Sequence, residues 1–160
     1  MTGRRRDYIL NEIELLGQYI ARLTHKRDET GLHDAIHLAQ HLQEKLFAMP
    51  AADFLRLEAR RQVAALMAGE STDAGRRKCL TYATLLRDNA TLYHLQGRDN
   101  LAKGARQLAL HVVLCAVLDA EAPDPAAEAL VQELRADFRP EDLHPPVQEL
   151  LARYEARLEA

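Results

Sequence analysis

The chain has 160 residues, 48% of them hydrophobic and 28% charged, with a formal net charge of -3 at neutral pH. That length suits one self-sufficient core, which at this size buries roughly 70% of the unfolded surface, and leaves little for a second domain. Charges of both signs are mixed, so no strong positive field is available and a dedicated nucleic-acid binder is excluded.

The chain opens on a basic run, Arg4 to Arg6. Residues 1–6 read as a flexible, solubilising N-terminus ahead of a single helical domain over 7–160. A first helix is predicted over about 7–27, where Ile9, Ile13, Leu16, Ile20 and Leu23 recur at three- and four-residue steps and Asp7 can cap the start. Asp7, Asn11, Glu12 and Glu14 interrupt the apolar positions, which is unlike a signal peptide. The stretch DETG breaks the pattern. A second helix runs from about Leu32 to Met49, with Leu32, Ile36, Ala39, Leu42 and Leu46 on one side, and Pro50 ends it. The third, about Ala52 to Ala68, carries Phe54, Leu55, Val63, Leu66 and Met67, with Gly69 as a left-handed stop.

After the polar loop ESTDAG, a fourth helix from roughly Arg76 to Gln96 places Cys79, Tyr82, Ala83, Leu86, Ala90 and Tyr93 on one face before Gly97. The fifth runs from its N-cap Asp99 to about Ala120. Its stretch Leu108 to Leu118 is apolar nearly all the way round, which places the helix either centrally or at a dimer interface. Those 11 residues fall short of the roughly 20 that span a bilayer. Asp124 and Pro125 then start a sixth helix over about 125–136. The irregular FRPEDLHPP leads to a last helix from about Pro146 to Leu158, with Val147, Leu150, Leu151, Tyr154 and Leu158. No alternating β-branched run or Asn-Gly turn competes. The expectation is an all-α bundle of about seven helices arranged as antiparallel hairpins, in the cytoplasm, with Cys79 and Cys115 as reduced thiols because neither has CxxC or Cys/His spacing.

Ala83 to Leu114 resembles a tetratricopeptide (TPR) hairpin. Leu86, Ala90, Tyr93, Gly97, Ala102 and Ala109 fall at that motif's spacing, where small residues let paired helices cross closely. Asn89 stands where an aliphatic is usual, and no proline closes the second helix near Leu114. More broadly, DYILNEIELLGQYIARL, Asp7 to Leu23, and LLRDNATLYHLQGR, Leu85 to Arg98, are similar to an uncharacterised bacterial domain-of-unknown-function family of helical, TPR-like character. That resemblance implies a fold and no activity.

Among polar patterns, His33, His37 and His41 recur every four residues on the second helix and are the weak candidates for a metal site, since imidazoles at i and i+4 can chelate from one face. They lie opposite the apolar stripe, so a solvated row is the competing reading. His111 sits inside the apolar run and reads either as a shifted acid/base or as a neutral core residue bonded to a backbone or tyrosine oxygen. Tyr82, Leu86, Asn89 and Tyr93 are the candidate partner-binding residues, with core packing as the alternative for both tyrosines; Arg87 and Gln96 could add polar contacts. Cys79 reads as a small core residue, although Arg76 and Lys78 are near in sequence. No nucleophile, carboxylate pair or phosphate loop forms a catalytic set. The sequence therefore points to a non-catalytic protein–protein interaction module without a cofactor, with a protein partner or self-association, including a homodimer through the fifth helix, and no nucleic-acid or membrane partner. A small-ligand or metal-binding bundle is the alternative, and a self-associating structural protein the third reading.

Overall fold

The computed structural model describes residues 11, 14–18, 20 and 29–160. The basic residues 1–6, the Asp7 cap and most of the predicted first helix, with much of the Asp7–Leu23 signature, lie outside the described residues. Residues 14–18 and 20 are helical, with Leu16 and Ile20 buried. Beyond them follow α1 (Glu29–Phe47), α2 (Ala51–Phe54), α3 (Ala59–Met67), α4 (Thr72–Leu95), α5 (Asp99–Asp119), α6 (Pro125–Arg135), a 3-10 turn (Pro140–Asp142) and α7 (Pro145–Glu159). No strand occurs among the described residues. The fold is an all-α helical bundle.

Three boundaries differ from the periodicity. α1 is helical from its first described residue, Glu29, so most of DETG is helical: a first turn can be polar, because it needs no apolar stripe of its own. The predicted third helix is two, α2 and α3, separated at Leu55–Glu58 without any Gly or Pro to announce the break. Buried Gln62 bridges the interruption, donating through Nε2 to the Phe54 carbonyl at 3.1 Å, and the bend lets Phe54 and Leu66 enter one core. α4 starts at Thr72, ahead of its apolar residues, because Ser71 caps it by accepting from the Ala74 N–H at 3.3 Å.

α4 and α5 form an antiparallel hairpin turned at Gly97, whose φ of 75° suits glycine. The Gly97 and Arg98 N–H groups donate back to the His94 and Tyr93 carbonyls at 2.9 and 2.8 Å, a Schellman closure. Small residues line the pairing: Ala83, Ala90, Ala102 and Ala109 are all buried.

α5 is central and packs against α3, α4, α6 and α7, which explains its all-round apolar stretch: Ala109, Leu110, Val112, Val113, Leu114, Ala116 and Val117 are buried within the chain. The whole 21-residue helix is long and apolar enough, by length and composition, to cross a bilayer, and half of that stretch is buried in the bundle. Its C-terminal carbonyls are capped by side chains rather than by a glycine turn. Arg157 donates to the Val117 and Ala120 carbonyls at 2.8 and 2.6 Å, and Arg76 to that of Asp119 at 3.2 Å. A second, smaller core joins Leu16 and Ile20 to Leu32, Ala35, Ala39 and Leu42 of α1 and Leu85 and Leu92 of α4.

Candidate functional site

Where α1, α4 and α5 come together, their facing residues leave an open groove of about 270 Å³. α1 contributes Ile36, Gln40 and Gln43, at helical spacing on one edge. α4 contributes Tyr82, Leu86, Asn89 and Tyr93, so the four residues read from sequence as a binding face do line one surface feature. α5 adds Asn100, Leu101, Gly104, Ala105 and Leu108, and Leu55 also lines the groove.

Tyr82 belongs to the floor. It is 1% exposed, its hydroxyl donates to Gln62 Oε1 at 2.9 Å, and its ring meets Phe47 edge-on at 4.8 Å, with Phe54 stacked on Phe47 at 4.7 Å. Burial pushes its phenol well above the ordinary value. Tyr82 thus supplies a fixed apolar ring, with its polar end already used. Tyr93 is half-buried at the rim, with the Arg98 guanidinium 5.5 Å from its ring centre.

Two amides distinguish this groove from ordinary packing. Gln43 is 5% exposed and Asn89 8%, and among the described residues Gln43 Nε2 and Asn89 Oδ1, both buried atoms, have no hydrogen-bond partner. Leaving such a group unpaired costs roughly 1–3 kcal/mol. At the mouth the opposite anomaly appears: Leu55 is 63% and Leu101 44% exposed. Leu55, expected on the packed face of the third helix, sits in the break after α2 and faces solvent. Among the described residues the lining holds no Asp, Glu, Lys, Arg or His. Gly104, mid-helix in α5, would carry a Cβ into open space, with nothing within 4 Å.

Of these residues, Gln43 and Leu101 were not singled out from sequence, and Gly104 read as an isolated turn or crossing glycine. One signal was present for Gln43, since it stands seven after Ile36 and three before Leu46, a polar residue on the apolar stripe of α1. Asn89 carried the same signal on α4.

The other candidates lie elsewhere. His33, His37 and His41 are exposed; His33 and His37 approach through their Nε2 atoms at 3.0 Å with rings edge-on. Among the described residues no group of three or more His, Cys, Asp or Glu is placed to hold a metal ion. His111 is half-buried, its pKa lowered by desolvation, and among the described residues its ring makes no hydrogen bond of the kind expected for a core histidine. Cys79 is buried, and desolvation, reinforced by Cys115 and Asp119 against Lys78, pushes its thiol up to about 12; burial also raises Cys115. Both thiols stay protonated at neutral pH. Arg87 is outside the groove, on the α6 side, paired with Asp88 at 3.3 Å and Glu133 at 3.0 Å. Gln96 is exposed and also outside it. No family model, curated protein or solved structure matches the chain.

Proposed function

We propose that the chain is a non-catalytic helical protein–protein interaction module that binds its partner in the groove between α1, α4 and α5. The observation that carries this reading is the open groove itself, whose lining includes the exposed Leu55 and Leu101 and, among the described residues, no charged side chain. An occupant seated there covers both leucines and removes their apolar surface from water. The TPR-like reading of the α4–α5 hairpin is supported by the buried alanines at the crossing and the Gly97 turn. The non-catalytic reading is supported by protonated thiols and by a half-buried His111 that has no hydroxyl or carboxylate partner among the described residues.

A small-ligand site is favoured less. Such sites usually enclose about 300–1,000 Å³, and this groove, at about 270 Å³ and open, better suits part of a larger partner. A homodimer through α5 has mainly the half-buried line Leu108, His111, Cys115 and Leu118 to offer. The test is affinity purification of the tagged chain beside a Leu55→Asp, Leu101→Asp variant of unchanged circular dichroism. A stoichiometric protein held by the wild type and lost by the variant is the expected result. A single species carrying a small molecule, or a partner indifferent to the substitutions, overturns the reading.

A further inference from the structure

The outer face of α1 carries a pair of side chains that the groove does not use. His33 and His37 are both exposed, and neither lines the groove. A four-residue step places them one above the other on the helix. Their Nε2 atoms stand 3.0 Å apart, with the rings edge-on and their centres 4.4 Å apart. At that distance one ring donates its N–H to the lone pair of the other, so both turn the same nitrogen toward a common point. Two imidazoles bound to one zinc ion at roughly 2.0–2.1 Å hold their nitrogens roughly 2.9 Å apart when the bonds are at right angles, and roughly 3.3 Å apart at the tetrahedral angle. The observed spacing lies inside that range. Chelation then needs the donating ring to carry its proton on Nδ1 instead, and a small turn of two exposed rings about soft terminal torsions.

We propose that His33 and His37 form a two-imidazole site for a divalent transition-metal ion of the zinc, nickel or copper kind, which clamps the N-terminal half of α1. A pair of neutral imidazole nitrogens suits those ions and not Mg2+ or Ca2+, which take oxygen ligands. Among the described residues no third His, Cys, Asp or Glu completes a set, so the remaining coordination positions fall to water and the site is open. The chelate exists only while residues 33–37 are helical. Metal therefore binds the folded chain better than the unfolded one and raises its stability. The same turns carry Leu32, Ala35 and Ala39 into the smaller core, so the clamp acts on that core as well. This site is independent of the reading of the groove.

The test is a titration of the untagged, full-length protein, first stripped with a chelator, with zinc chloride. Binding is followed by calorimetry, by the imidazole signals of 15N-labelled protein and by melting temperature. One Zn2+ per chain is expected to shift His33 and His37 together and to raise the melting temperature, while magnesium chloride at the same concentration does neither. His33→Gln and His37→Gln each weaken binding at least about tenfold and cancel the rise, because the chelate is lost when either arm goes. The double variant binds no more weakly than either single one. His41→Gln binds as the wild type does. Without metal all of these variants melt as the wild type does, because the three positions are exposed. No saturable binding below about 1 mM Zn2+ overturns the proposal. Zinc held as tightly by the double variant as by the wild type also overturns it, since the binding is then adventitious and elsewhere. Loss of binding in His41→Gln does the same, by placing the metal on the next pair along the row.

Discussion

Ala48 holds a φ of 55°, a left-handed conformation that costs a residue with a Cβ roughly 1–2 kcal/mol. It does so because it is the first residue past α1, where the Met49 N–H returns to the Glu44 carbonyl at 3.3 Å and Pro50 stops the helix. Ala48→Gly should therefore raise unfolding free energy by about 1 kcal/mol in urea denaturation; a loss would mean that the strain is offset by contacts of the methyl group. Titrating residues give two further expectations of opposite sign. Burial raises the Asp88 carboxyl above its ordinary 3.8, with Arg87 opposing it. Between that value and the raised one the folded state holds more protons, so stability falls as pH rises through the window, and Asp88→Asn should flatten that fall. Burial lowers His111 below 6.5, so the unfolded state binds more protons between the lowered value and 6.5. Stability is then lost as pH falls through that window, and His111→Gln should remove the loss. Melting temperatures across pH check both. At this scale the sequence showed Tyr82, Leu86, Asn89 and Tyr93 as one face, because spacing along a single helix determines it. It did not show that Tyr82's hydroxyl is taken by Gln62, a residue 20 positions away on another helix.

The hairpin of α4 and α5 is the element on which the groove depends. Ala102 and Ala109 are buried where the two helices pair, so Ala102→Leu or Ala109→Leu should overpack the crossing and cost about 1–3 kcal/mol. An unchanged melting curve would contradict close pairing at those positions. The long helices were legible from three- and four-residue apolar steps and from their caps: Asp124 does accept from the Ala126 and Ala127 N–H groups, at 3.1 and 3.4 Å. The division of the predicted third helix was not. Its break contains no Gly or Pro, and what stabilises it, the Gln62 amide on the Phe54 carbonyl, is a contact made by folding. The same break turns Leu55 out to the mouth of the groove.

For the molecule as a whole, the apolar stretch of α5 made a central helix predictable, and the packing of α3, α4, α6 and α7 around it is the result. A groove is harder to foresee, because it depends on the rotation of three helices about their own axes, and one helix's pattern does not contain its neighbours' angles. The histidine row is peripheral to this architecture: His37→Gln with His41→Gln should change stability by no more than about 0.5 kcal/mol, as for other exposed sites. A larger loss on thermal unfolding would mean that the row is bound to something. On the proposed reading, a partner docks in the α1–α4–α5 groove. The most direct measurement places a photo-crosslinking residue at Leu101, on the groove, and separately at Leu158, exposed on α7 and outside it. Irradiation in native extract should join one stoichiometric protein to the Leu101 probe, not to the Leu158 probe, and Gly104→Phe should abolish the product. Equal capture at both positions, or capture undiminished by Gly104→Phe, would contradict the claim.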